Sequence, residues 1–386
     1  MITPHMNILK ILLNYLKYRP RGLVSNAEKW ISSFNNTTPL DLRYGPGNIF
    51  WHDQGSQLLT YEAPYDAFLN AAVDNFPLRI AVSHPSALYR LLNCRVVGQS
   101  AAVLSPDGKL FQQFTYSIPN KPYAHPIFKR RRFVDPVILK GSWASLVYPS
   151  SSAWFHWIAE SLPRLKLIEH ILPYLNGVMI PSSPHSQIRE SVLAMGLRSD
   201  QIIELNSDSH YIPEVLFVPF YAAGMNMAPW VPKFLQSKLQ LNNHANSVGS
   251  PRRIYISRED AKVRRLVNEK EITSILVTHG FEIIKLADIS FHEQVELFNN
   301  AELIVAPHGA GLANLVFCQP NVRVLELLST QNQLPCLYYA MTNTVGGHYS
   351  FLRGSPIEGQ DPNNPNADFR IKLLYLENAL SWLFQS

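Results

Sequence analysis

Beyond residue 251 the chain alternates short apolar runs with amphipathic ones. "RRIYIS", "FEIIKL", "ELIVAP" and "VRVLELL" read as strands, with "NEKEITSILVTHG", "SFHEQVELFNNA" and "GLANLVF" as the helices between them. Apolar strands joined through helices imply a parallel sheet covered on both faces. The same alternation, less regular, runs from Gly141 to about residue 240. There "WASLVY", "GVMI" and "EVLFVPF" read as strands, and "SAWFHWIAESL" and "HSQIRESVLAMG" as helices. Up to about Lys140 the texture is strand-rich and irregular. "CRVVGQSAAVLSPDGKLFQQF" reads as two strands about the turn Ser105-Pro106-Asp107-Gly108. The polar, aperiodic "LNNHANSVGSP", 241–251, reads as a linker. These patterns predict two α/β lobes with a cleft between them. Residues 1–240 form the first (1–140 strand-rich, 141–240 α/β), 241–251 the linker, 252–345 the second, and 346–386 a tail packing back on the lobes.

Composition narrows the class. Over 386 residues, 46% hydrophobic and 16% charged, two domains with real cores are expected rather than disorder. A net charge of +5 suits an anionic small ligand or an acidic membrane surface, and is too weak to argue for nucleic acid. Cys94, Cys318 and Cys336 are scattered, with neither metal spacing nor a disulfide framework, which fits a reducing cytosol. The start, "MITPHMNILKILLNYLKYRPRG", is too short to span a bilayer and lacks the pattern of a cleaved leader. It reads as a surface helix or as a peripheral membrane contact. Asn35 and Asn36 head glycan-acceptor triplets that matter only in a secretory lumen.

Candidate chemistry collects in the second lobe. "APHGAGLANLVF" leaves the strand "ELIVAP", and ligands bind parallel sheets where a strand ends and the next helix begins. Gly309, Ala310 and Gly311 let main-chain amides approach a phosphate, and His308 stands at the same lip. Glu326 ends the next apolar run, at a distance suited to ribose hydroxyls. A tight turn with an incidental histidine is the competing reading. As a dinucleotide fingerprint the stretch is incomplete, because Asn314 stands where a third glycine belongs. Upstream, "YISREDAKVRRLVNE" leaves its strand with Arg258, Arg264 and Arg265, then Asn268 and Glu269. Arginines at a strand mouth grip a diphosphate with forked bonds; a solvated loop with Asn268 as a helix cap is the alternative.

The pair "YISRxxxxxRxxxNE" and "PHGAGLANLVF", followed by "VLEL" and preceded by "HWIAESLPRL", resembles the signature of glycosyltransferase family 61. The similarity covers roughly residues 140–345. The resemblance implies a B-type glycosyltransferase fold of two Rossmann-like lobes, the donor sugar nucleotide in the second and the acceptor in the first. Carried over by position, Arg258, Arg264, Asn268, Glu269, the His308–Gly311 turn and Asn314 become donor-binding residues, with Glu326 near the ribose. It also implies inversion at the anomeric carbon and a glycan or lipid-linked glycan acceptor. The family includes xylosyl-, arabinosyl- and N-acetylglucosaminyltransferases, and many bacterial members tied to surface polysaccharide synthesis, which implies a cytoplasmic protein, peripheral at the inner face of the membrane.

Inverting transfer requires a base for the acceptor hydroxyl and positive charge for the leaving diphosphate. Arginines and a helix N-terminus supply the charge, and no Asp-x-Asp occurs in the chain, which favours a metal-free mechanism with no cofactor. For the base, a helix starting near Ser152 sets His156, Glu160 and Arg164 on one face, with Pro163 disturbing it where the stripe ends. Either His156 or Glu160 fits the role; capping or packing beside Trp154 and Trp157 is the plain alternative. "FHEQVE" lacks the second histidine of a zinc helix, so His292 reads as surface. "FKRRRF", 128–133, reads as a solvated basic face or as an attraction for acidic lipid or an anionic glycan. Two other classes stay open: a dinucleotide-dependent oxidoreductase, and a non-catalytic glycan-binding protein on a transferase scaffold.

Overall fold

The computed structural model describes residues 4–27, 29–30, 48–52, 58–67, 69, 71–73, 80–82, 86–114, 122–148, 150–221, 226–241, 252–329, 337–361, 364 and 366–384. The chain forms two compact units, residues 1–55 with 85–222, and residues 56–84 with 223–386. Of the stretch read as a linker, only Leu241 lies within the described residues, and Asn35, Asn36 and Cys336 lie outside them. The helix Trp230–Lys238, placed by sequence with the first lobe, goes with the second unit. There Gln236 Nε2 donates to the carbonyls of Val316 and Cys318 at 2.8 and 3.0 Å.

The first unit is built on a 10-stranded sheet. Its parallel run is Ile202–Leu205, Gly177–Pro181, Val137–Ser145 and His210–Phe220, in that spatial order. Ala87–Leu92 and Arg95–Val97 pair antiparallel with the last of these, and Ala102–Leu104 and Lys109–Phe111 continue the sheet. The stretch expected to hold two strands therefore holds three. Gly98, at φ +72°, turns the chain early and accepts the Ala101 amide at 3.0 Å. The Ser105–Gly108 turn stands where expected, with Gly108 at φ +87° donating to Ser105 O at 2.8 Å.

Pro163 does not end the helical segment that begins at Trp154. The chain runs as one α-turn, Trp154–His156, then a wider turn, Trp157–Ser161, then the tight Leu162–Arg164, and is α-helical again over Leu165–Ile168. A proline has no amide for the α-helical bond, and its ring collides with the carbonyl four residues back. The wider turn, in which Leu162 N–H reaches back to Trp157 O, opens the room. Trp157 is fully buried and donates to Ser191 Oγ at 2.8 Å. Arg164, also buried, donates to the carbonyls of Glu160, Val147 and Tyr221 at 3.1, 3.3 and 2.8 Å, its guanidinium 4.6 Å from the Tyr148 ring centroid. Burial lowers its pKa to about 10, so it stays a cation at neutral pH.

In the second unit the sheet order is Phe281–Ile284, Arg252–Ile256, Ala301–Pro307, Arg323–Leu328, His348–Arg353, then the short Tyr65–Asp66 and Ala71–Ala72. All pairs through Tyr65–Asp66 are parallel. The chain begins at Arg252–Ile256, steps to one side, then crosses back to the other. With right-handed crossovers, helices Glu269–Thr278 and Phe291–Asn299 fall on opposite faces. Tyr255, Leu303, Val305, Leu325 and Leu327 bury one face against Ile272 and Leu276 of the first helix and Leu376 and Leu380 of the helix Leu373–Phe384. The stretch read as a tail thus supplies a strand and a covering helix to this unit.

Candidate functional site

The strand order reverses between Arg252–Ile256 and Ala301–Pro307, and in open parallel sheets the ligand crevice forms at the carboxyl ends of two such strands. Arg258 leaves the first, and His308 and Gly309 leave the second. The arginine lies across the glycine. Arg258 Nη1 donates to His308 O, and a Cβ added to Gly309 would stand 2.8 Å from Arg258 Nε and 2.9 Å from its Cζ. Gly309 has φ 177°, extended backbone open to any residue, so its lack of a side chain is a matter of space for the guanidinium. Gly311 is bare for packing: a Cβ there would meet Leu286 Cδ1 at 2.6 Å. The first tight-helix bond runs from Leu312 N–H to Gly309 O at 3.1 Å, so the amides of Ala310 and Gly311 precede any intrahelical acceptor.

A second arginine reinforces the charge. Burial lowers the Arg258 pKa, and the neighbouring Arg264 cation lowers it further. Among the described residues neither forms an ion pair with a carboxylate. Arg264 takes the left-handed region, φ +55°, where a side chain is strained, and is held by its amide to Asn366 O at 3.1 Å and by Nη1 to Asn366 Oδ1 at 3.2 Å. Its Nε is buried with no hydrogen-bond partner among the described residues. Two half-buried guanidinium groups side by side make a place for an anion.

His308 is fixed from behind. Its Nδ1 lies 2.5 Å from Glu326 Oε1, its amide donates to Leu327 O at 2.9 Å, and its ring centroid lies 5.3 Å from that of Tyr338. Glu326 is 1% exposed, and its second oxygen accepts from the Tyr349 hydroxyl. The carboxylate expected near the ribose is therefore engaged on both oxygens, by His308 and Tyr349. Burial, and then the charge of Glu326, raise the Tyr338 pKa, so this hydroxyl stays protonated.

Three other residues assigned to the donor site hold the frame. Glu269 Oε1 accepts from Tyr255 Oη, Ser257 Oγ and the Arg258 amide at 3.1, 2.8 and 3.0 Å, folding the loop that aims Arg258. Asn268, 4% exposed, brackets Ile371, donating to its carbonyl at 2.9 Å and accepting its amide at 3.1 Å. Asn314 is fully buried and donates to Gln294 Oε1 at 2.9 Å, tying the turn's helix to its neighbour. Arg265 turns away to Asp368 at 2.6 Å, and His292 is exposed as expected. Sequence reading missed Tyr338 and Tyr349, which lie on a helix and a strand not assigned beforehand, and Leu286, which ends the stretch read as the strand "FEIIKL" and whose contact with Gly311 has no local signal.

In the first unit His156 and Glu160 meet as expected, Nδ1 to Oε2 at 2.7 Å, with the histidine 40% exposed and the glutamate 6%. A carboxylate on Nδ1 fixes the tautomer with its proton there and leaves Nε2 as a bare acceptor. Arg164 turns away from that face to the interior carbonyls. Among the described residues no group of three or more His, Cys, Asp or Glu gathers as a metal-ligand set.

Fold and site together define an α/β protein with two arginines beside a bare glycine at a strand-order reversal and a carboxylate-oriented histidine in its other unit. Comparison with known proteins gives the family. The Glycosyltransferase 61 family model matches residues 154–325, from the His156 helix to the residue before Glu326, and this stretch belongs to that family. The chain is similar to a beta-1,2-xylosyltransferase of Arabidopsis thaliana, 28% identical over 117 residues, covering 25% of this chain and 22% of the relative. It is also similar to EGF domain-specific O-linked N-acetylglucosamine transferases of Pan troglodytes and Gallus gallus, 25% and 26% identical over 141 residues, 32% of this chain and 26% of each relative. The matched stretch thus spans about a quarter of these relatives' own length.

Proposed function

We propose that the chain is an inverting glycosyltransferase of the B-type architecture, moving a sugar from a nucleoside-diphosphate donor to a glycan hydroxyl without a metal. The xylosyl and N-acetylglucosaminyl transfer named for its relatives sets the expected range of donors. One observation carries the reading: Arg258 lies on bare Gly309 at the strand-order reversal, with Arg264 beside it. A diphosphate there takes forked bonds from the arginines and hydrogen bonds from the amides of Ala310 and Gly311, beside the His308 ring. Glu326 acts through His308 as a positioning residue. Glu269, Asn268 and Asn314 keep the two loops in register.

The reaction is a single displacement. The acceptor oxygen bonds to the anomeric carbon as the bond to the β-phosphate oxygen breaks, and the hydroxyl proton passes to His156 Nε2. The departing diphosphate carries its charge onto the arginines, which need no reorganisation to receive it. Glu160 orients the imidazole and stabilises its charged form. The acceptor is read as a glycan or lipid-linked glycan of a surface polysaccharide, with the work done in the cytoplasm. No helix among the described residues is long and apolar enough to cross a membrane.

Hydrolysis of a panel of sugar nucleotides in EDTA tests the reading. Wild type should release nucleoside diphosphate from one donor, and His156→Ala should lower the rate about a hundredfold, as loss of a general base does. No release from any donor, or equal rates in the two proteins, contradicts it.

A further inference from the structure

The first unit presents a face that neither the donor grip nor the base uses. In the helix Pro4–Tyr18, residues 10–18 have one buried side and one exposed apolar side. Inward, Asn14 and Tyr18 are buried, Asn14 Nδ2 donates to Phe133 O at 3.2 Å, and Arg95 caps Tyr18 O at 2.9 Å. Outward, Leu12, Leu13 and Leu16 are 52%, 56% and 48% exposed. At helical spacing these leucines share one arc of about 100°, with Lys10 and Lys17 along one border and Arg19 along the other. One exposed leucine is ordinary; three on one arc within a basic border form an amphipathic surface.

The neighbouring loop extends the same face. Phe128 and Phe133 pack into the cluster beneath the helix, and Lys10 pairs with Asp135 at 3.2 Å, which fixes the loop alongside. Lys129, Arg131 and Arg132 are exposed, and Tyr123 is 61% exposed with its ring 5.2 Å from that of Phe128. Tyr15, Arg19, Arg21, Tyr123 and Phe128 bound a recess of about 450 Å³. Among the described residues none of Lys17, Arg19, Arg21, Lys129, Arg131 and Arg132 forms an ion pair with a carboxylate.

We propose that this face docks on an anionic phospholipid surface. The leucines and Tyr123 enter the boundary between headgroups and acyl chains, the cations lie among lipid phosphates, and the recess between Arg19 and Arg21 receives one of them. Charge selects the occupant. A second copy on a two-fold axis would set these unpaired cations against each other, whereas an anionic bilayer matches both the apolar arc and its border. The docking stands apart from the donor reading and survives its failure.

Co-sedimentation of the full chain with vesicles tests it, using phosphatidylcholine alone and phosphatidylcholine with about one-third phosphatidylglycerol. Binding should require the anionic lipid and fall steeply at about 0.5 M salt. Replacing both Leu12→Glu and Leu16→Glu should weaken it about tenfold or more. Replacing Lys129, Arg131 and Arg132 by serine should weaken it about a hundredfold. These side chains are exposed, so thermal melting and sugar-nucleotide turnover in solution should not change. No binding to anionic vesicles, or binding unchanged by the leucine pair, overturns the proposal. So does gel filtration showing that the leucine substitutions split a dimer.

Discussion

Gly309 carries an unusually direct reading of side-chain space. Its backbone is extended, so Gly309→Ala brings no conformational penalty, but the new methyl meets the Arg258 guanidinium. The substitution should leave thermal melting nearly unchanged and weaken nucleoside-diphosphate binding about tenfold, the loss of one charge-assisted bond. In an Arg258→Ala background it should cost nothing further, the mark of two residues acting through one contact. Tyr349→Phe probes the other side: it leaves a buried Glu326 oxygen without its donor, and stability should fall by about 1–3 kcal/mol in denaturant unfolding. The strand-end positions of His308, Gly309 and Arg258 were legible in the sequence because each comes within two residues of an apolar strand. The duties of Asn268, Asn314 and Glu326 were not, because Ile371, Gln294 and Tyr349 come from other elements, far along the chain.

Among the elements, the segment Trp154–Ile168 separates two kinds of residue. Arg164→Ala removes a buried cation and strips three interior carbonyls of their donor, so the protein should lose about 3–5 kcal/mol of stability. His156→Ala, at an exposed ring, should change the melting temperature little. Comparing the two variants by thermal unfolding checks the division; equal losses would make His156 structural. The expected stripe held for His156 and Glu160 and missed Arg164, because the wider turn before Pro163 rotates the next residues off the helical spacing. Apolar strands were legible from composition and alternation alone. His348–Arg353 and Leu373–Phe384 were passed over because the polar, proline-rich stretch between them reads as the start of a tail. Their place is set by pairing with Arg323–Leu328 and by the apolar face they cover.

At the scale of the whole molecule, net charge is a poor guide to where charge acts. Against a net charge of +5, cations gather on a helix-and-loop face in one unit, and two half-buried arginines stand together in the other. Stability should also depend on pH. Burial holds His210 near a pKa of about 4, its Nδ1 bonded to Val134 O at 2.8 Å, and burial lowers His125 as well. Unfolded histidines titrate near 6.5, so between those values the unfolded chain binds protons that the folded one refuses. Stability therefore falls as pH drops through that window, by about 2 kcal/mol at pH 5 from His210 alone. Melting curves from pH 7 to 5 should show the fall, and His210→Gln should flatten it; parallel slopes would refute the assignment. The central claim is the diphosphate grip in the second unit, and calorimetric titration of a nucleoside diphosphate in EDTA tests it most directly. Wild type should bind, and Arg258→Ala, still folded, should bind at least about a hundredfold more weakly. Equal affinity in the two proteins, or binding only after a divalent metal is restored, would contradict the account.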